Sequence, residues 1–246
     1  HEVAAPEHQG AAGRLRELVG VAAHPLNRPR VDAAARRVVG GYGILQPRIV
    51  TPLPSPQQMT PYHWLFAGQC GIDPYSAASS EVYQDLFAEG SFTGKGLLDV
   101  QAMQAVLAGR LPEGQVLSHD LLEGSLVRCA ALSDITLVED APFHADVAAS
   151  RVHRWARGDW QLLPFLLRGT HKESKGRSRD SLLPLGGADA AGGLGGSNYP
   201  LRAIHRWKMF DNLRRSLVAP LSLALLLMAL AGHGLTPWAA LGLVLA

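Results

Sequence analysis

The sequence predicts a layered α/β domain followed by membrane-directed helices, and three observations carry that reading. Through residues 1–170, stretches with helical apolar spacing alternate with short runs of strand character, the pattern of helices packed on a sheet. Residues 171–200 are polar and then glycine-rich, without an apolar period, and read as a linker or surface loop. Beyond them charge disappears: Leu217 to Ala231 reads LVAPLSLALLLMALA, approaching the roughly 20 residues that a membrane-spanning helix needs.

Each element follows from its own pattern. AAGRLRELVGVAAH (11–24) is an amphipathic helix that ends before PLNRPR. GYGILQPRIV (41–50) is a strand entered through glycine, and Pro47 marks it as an edge strand or a strand end, because proline cannot donate to a ladder. AMQAVLAGRLP (102–112) and HDLLEGSLVRCAA (119–131) have helical periodicity, and DITLVED (134–140) alternates as a strand does. DVAASRVHRWARGDWQLLPFLL (146–167) is a long helix interrupted near Pro164. In RAIHRWKMFDNLRR, Ile204, Trp207, Phe210 and Leu213 fall near helical spacing, so residues 201–215 read as an interfacial amphipathic helix. Its Arg202, Arg206, Lys208, Arg214 and Arg215 precede the apolar run as cytoplasmic flanks do, and residues 216–246 read as transmembrane.

Composition narrows the function. A formal net charge of +2 over 246 residues gives no bulk electrostatic case for a nucleic-acid binder. Cys70 and Cys129 lack metal-site spacing and are expected to be reduced core residues of a cytoplasmic domain. The opening HEVAAPEHQG has no apolar run and the chain closes on LGLVLA, so a piece of a larger protein is expected.

Three stretches could carry chemistry. RVHRWARGDWQLLP places Arg151 and Arg154 on one helix face with Trp155 beside them. Two guanidinium forks on one face suit phosphate oxygens, and a solvated basic face with an inward tryptophan would look alike. LSHDLLEG sets Asp120 at a helix start, where it is an N-cap or, facing a cleft, a general base on a sugar hydroxyl. Glu123, one turn on, is a helix-face acid or a second polar contact. In YQDLFAEGSFTGKGLLDV, Gly90, Gly94 and Gly96 make a loop whose backbone can approach a ligand closely. A plain turn between helix and strand would read the same way.

In this order, the glycine loop, the acid opening a helix and Arg-x-x-Arg-Trp ahead of a membrane segment resemble processive, cellulose-synthase-like glycosyltransferases. GIDPYSAASSEVYQDLFAEGSFTGKG, LAGRLPEGQVLSHDLLEG, DVAASRVHRWARGDWQLLP and RWKMFDNLRRSLVAP are similar to the glucosyltransferase domain of bacterial cyclic β-1,2-glucan synthases, over most of residues 20–220. The resemblance implies a cytoplasmic GT-A domain among inner-membrane helices, transferring glucose from UDP-glucose to a growing β-1,2-glucan with inversion. By position it implies Asp120 as catalytic base and Arg151 and Arg154 as donor-side residues that stabilise departing UDP. Trp155, Gly94, Lys95 and Gln46 would form the acceptor side.

One departure stands out. Such enzymes hold the donor and a Mg²⁺ or Mn²⁺ ion with an Asp-x-Asp stretch ahead of the helix leading into AHPLNRPR. That place reads Ala5-Pro6-Glu7-His8, leaving Glu7 as the one metal-side carboxylate, and the uridine-binding strands are missing. The chain therefore reads as a partial GT-A domain with little turnover by itself. Two alternatives remain at this level: a catalytically inactive homologue, and a membrane-anchored basic module for anionic lipid or nucleic acid.

Overall fold

The computed structural model describes residues 11–52, 54–66, 81–111, 116, 120–167 and 201–245. Cys70, Glu7 and the 171–200 linker lie outside them. In chain order the elements are α1 (Ala11–Ala23), β1 (Arg30–Asp32), β2 (Arg37–Gly40), β3 (Ile44–Val50), α2 (Pro61–Phe66), α3 (Val82–Phe87), β4 (Leu97–Leu98) and α4 (Val100–Leu107). Then follow α5 (Asp120–Val127), β5 (Cys129–Val138), α6 (Ala145–Gln161), α7 (Leu163–Leu167), α8 (Ala203–Leu230) and α9 (Pro237–Leu245). The mixed α/β class is as expected. The hairpin β1–β2 and the short helix α2 carry no signal that the sequence reading used.

The main sheet has the order β4-β3-β5, with β3 antiparallel to β4 and parallel to β5. This corrects the expectation of β3 as an edge: it is the central strand. Pro47 is tolerated there for two reasons. Strand β4 pairs only with Ile44 and Leu45, so the ladder on that side ends before the proline. On the other side the β3–β5 register shifts between Pro47 and Arg48, a bulge at the residue that lacks an N–H.

A second correction concerns residues 129–131, expected as helix. Helix α5 ends at Val127, Arg128 takes a left-handed φ of 59°, and β5 begins at Cys129. A single residue in that conformation ends the helix and lets Cys129–Ala131 pair with Ile44–Gln46. Cys129 is buried, and its thiol donates to the Ala130 carbonyl (3.7 Å).

The core gathers Ile44 of β3, Val106 of α4, Leu122, Leu126 and Val127 of α5, and Cys129 of β5. Leu162, Phe165 of α7 and Met209 of α8 extend it, so the C-terminal helices are packed onto the same core. Pro164 sits in the first turn of α7, where a missing N–H costs nothing, and α6 has already ended at Gln161.

Helix α8 runs unbroken through the expected division at 215/216, with Pro220 inside it. Its first half is amphipathic in an unusual sense. His205, Lys208, Met209, Asp211 and Leu213 are buried against the domain, while Trp207 and Phe210 stay exposed. Past Ser216 its leucines are mostly exposed. Helix α9 packs back on α8, and the small Ala229 and Ala240 are buried. Among the described residues α8 is the one helix long and apolar enough to cross a membrane, with a mean hydropathy of 1.6 over its most apolar window.

Candidate active site

The glycine loop between α3 and β4 is fixed from beneath. Buried Gln46 on β3 accepts, through Oε1, hydrogen bonds from the Thr93 backbone N–H (3.1 Å) and the Thr93 hydroxyl (3.2 Å). All three of the loop's glycines are dictated by close approach, Gly90 by the Ala131 backbone nitrogen, 2.7 Å from where a Cβ would stand. Gly96 passes so near Leu45 that a Cβ would stand 2.5 Å from its carbonyl oxygen, and Gly94, at φ +83°, would place one 2.8 Å from Asp120 Oδ2. The loop's glycines thus approach the protein itself, and Gly94 in particular lies against the candidate base.

Asp120 is the first residue of α5, and Leu121, Leu122 and Gly124–Val127 behind it are all buried. The helix is therefore clamped into the core, and its acidic end is held at the loop. Asp120 lines a cleft of about 510 Å³, as do Ser91, Thr93 and Lys95. Glu123 is half-buried and does not line it.

Helix α6 supplies the opposite wall through Arg151, Arg154 and Trp155. The Arg151 guanidinium lies 5.9 Å from the centre of the Trp155 ring, within cation–π range. Trp155 is 41% exposed, leaving ring face for a ligand. Among the described residues neither arginine has a carboxylate or hydrogen-bond partner. Arg157 and Trp160, on the same motif, do not line the cleft. Lys95 pairs with Glu139. Burial and then the Arg151 charge lower the Lys95 pKa.

The third wall is helix α8, with Lys208, Asn212, Arg215 and Ser216. Sequence reading misses it, because Lys208 and Arg215 read as membrane-flanking charge and Asn212 and Ser216 carry no signal of their own. The available signal was spacing: 208, 212 and 215 fall on one helix face, away from exposed Trp207 and Phe210. Asp159, eight residues after Arg151 on α6, also lines the cleft and was not singled out.

Lys208 is 4% exposed and locks α8 to the loop. Its Nζ donates to the carbonyls of Glu89 (3.0 Å) and Gly90 (2.9 Å) and lies 4.6 Å from the Tyr83 ring centre. The Glu89 carboxylate meets Arg128 (2.8 Å), Arg202 and His205 (2.9 Å). His205 Nδ1 accepts from the Arg202 backbone N–H, so Nε2 carries the ring proton and donates it to Glu89. Burial pushes the Glu89 carboxyl up, but the His205 hydrogen bond and the charges of Arg202 and Arg128 outweigh it, and the net pKa is lowered.

The arrangement offers a carboxylate, a guanidinium pair and an aromatic face around one space. Basic side chains outnumber acidic ones along its wall. A divalent metal is a poor fit to what is described. Among the described residues no three His, Cys, Asp or Glu side chains are gathered to hold an ion, and of the cleft's acids Glu139 is paired with Lys95. Glu7 falls outside the described residues.

Of the residues expected from sequence, Asp120, Arg151, Arg154, Trp155 and Lys95 come together at the cleft. Gly94 touches Asp120, and Gln46 lies behind the loop rather than in the cleft.

No family model matches the chain. Over 202 residues, 82% of its length, it is 46% identical to the cyclic beta-(1,2)-glucan synthase NdvB of Rhizobium meliloti (strain 1021), and it spans only 6% of that protein. With nearly half of the aligned residues shared, the chain is a homologue of that cyclic β-(1,2)-glucan synthase over one segment of its length.

Proposed function

We propose that the chain provides the base and acceptor side of a GT-A-type, inverting glucosyltransferase that builds β-1,2-glucan from UDP-glucose. The observation that carries this reading is convergence. Asp120 from α5 and Arg151, Arg154 and Trp155 from α6, far apart in sequence, line one cleft. The similarity to a cyclic β-(1,2)-glucan synthase supports glucan as the product class.

In this mechanism Asp120 accepts the proton of the acceptor's 2-hydroxyl as that oxygen bonds to C1 of the donor glucose. The C1–phosphate oxygen bond breaks, its electron pair leaves with UDP, and the anomeric centre inverts. Arg151 and Arg154 stabilise the charge that grows on the departing diphosphate, and Trp155 bounds the acceptor. The reading expects Mg²⁺ or Mn²⁺ with the complete enzyme, but no step here is assigned to it.

The same proposal places the apolar half of α8 and α9 in a bacterial inner membrane, with Trp207 and Phe210 at its interface and the domain on the cytoplasmic side. The run of Arg202, Arg206, Arg214 and Arg215 before the apolar stretch supports that orientation. Other domains of a full-length synthase would be its partners, and nucleic acid would not.

The decisive experiment is Asp120→Asn in a full-length synthase carrying this segment. Incorporation of labelled glucose falls by about 10²–10⁴, with UDP affinity and melting temperature unchanged. Full incorporation by the variant rejects the base assignment, and lost folding returns Asp120 to a helix-capping role.

A further inference from the structure

We propose that Asp159, Asn212 and Arg215, at the seam of α6 and α8, form a carbohydrate-binding subsite for a glucose unit of the acceptor glucan behind its reacting end. This rests on the function proposed above and adds a second ligand position to the same cleft.

Geometry comes first. Arg151, Trp155 and Asp159 follow one another at four-residue steps, so one face of α6 runs along the cleft from the arginine pair to this acid. Across the seam, the Arg215 guanidinium donates to Asn212 Oδ1. With that oxygen occupied, Asn212 bonds Asp159 through its NH₂ group. The result is a polarised relay from guanidinium through amide to carboxylate. All three side chains line the cleft, with Trp155 one turn away.

The ligand class follows from what such a group can bind. Beside Arg151 and Arg154 the α6 wall is basic and suits an anion. At Asp159 a carboxylate adjoins the donors, which disfavours phosphate and suits a neutral partner that both donates and accepts. Adjacent hydroxyls of a sugar do both, and a half-exposed indole offers its C–H face a flat wall.

Stability supports a ligand role over simple packing. Burial pushes the Asp159 carboxyl up to about 6, against the opposing pull of Arg215 and Asn212. The fold therefore holds an ionised Asp159 at neutral pH against its own preference, a mark of residues kept for binding.

The test uses the purified full chain in detergent and a β-1,2-linked glucose tetrasaccharide as probe, titrated by calorimetry. Wild type binds it, and Asp159→Ala and Arg215→Gln each weaken binding by about ten- to a hundredfold, as loss of a charge-assisted hydrogen bond does. Asp159→Asn melts at or above the wild-type temperature at pH 8. Wild-type binding with undiminished affinity in both Asp159→Ala and Arg215→Gln overturns the subsite and leaves the proposed function standing. A lowered melting temperature with unchanged affinity assigns the three residues to helix packing and also overturns it. A wild type that ignores the tetrasaccharide overturns the subsite together with the acceptor-side reading on which it rests.

Discussion

Two charged clusters flank the same loop and are built on opposite principles. Around Glu89 every charge is turned inward: Arg128, Arg202 and His205 converge on one buried carboxylate, and Lys208 caps the adjoining carbonyls. Around Asp120 the guanidinium groups of Arg151 and Arg154 face open space without a carboxylate partner among the described residues. The first cluster is closed and fixes where α8 meets the loop. The second leaves its donors available to something that is not protein. Composition does not separate the two, since both are rich in arginine and acid. The difference is that the charges around Glu89 have their partners supplied from within.

The comparison can be broken from either side. The largest effect expected is on rate, at Asp120: its replacement by Asn costs about 10²–10⁴ in glucan synthesis without a loss of stability. Glu89→Gln should do the reverse. Removing the negative charge leaves buried positive charge uncompensated, and roughly 3–5 kcal/mol of stability is lost, read by chemical denaturation. The Glu89 pKa is lowered from 4.5, so its contribution is present above that value and is lost as pH falls through the folded-state pKa. A wild-type stability at pH 3 equal to that at pH 7, with the Gln variant unchanged, would show that the cluster is not closed.

Arg154→Lys is the next test, because it keeps charge and removes the fork. In a full-length synthase carrying this segment, UDP affinity or rate should drop by about one to two decades, as loss of a charge-assisted bond of roughly 1.5–3 kcal/mol implies. Equal affinity and equal synthesis would take α6 out of the donor site and favour a basic surface for anionic lipid. Steeply salt-dependent vesicle binding, with no response to UDP, would then be its signature.

The smallest effect concerns Asp159. Its pKa is raised from 3.8 to about 6, so between those values the folded state binds more protons than the unfolded one. Stability from this group falls as pH rises through that window. Burial sets that rise, and the Arg215 charge and the Asn212 hydrogen bond, both from α8, oppose it. The melting-temperature difference between wild type and Asp159→Asn should therefore shift in favour of the variant from pH 4 to pH 7. A difference that stays flat would mean that Asp159 is not desolvated.

Legibility differed by kind of residue. Arg151, Arg154 and Trp155 were readable as a group from helical spacing, and Asp120 joined them only through the resemblance of the ordered motifs to a glycosyltransferase family. Asn212, Arg215 and Lys208 were not. Beside an apolar run, a basic flank has a sufficient explanation in membrane topology, and one sequence does not say which face of α8 turns inward. Pro47 misled for a related reason: a proline excludes pairing on its N–H side, but only the partner strands decide whether that side needs pairing. Here β4 stops short and β5 bulges.

By itself the sequence determined the mixed α/β class, the long apolar C-terminal helix and the shared helix face of Arg151, Arg154 and Trp155, because periodicity, apolar run length and local spacing are properties of neighbours along the chain. The tertiary structure decided that β3 is central, that Gly94 must be glycine because Asp120 lies against it, and that α8 closes the cleft as its third wall. Those depend on contacts between residues up to more than a hundred positions apart, such as Glu89 with His205. Contacts of that kind are selected by packing and charge pairing in three dimensions, and no local pattern encodes them.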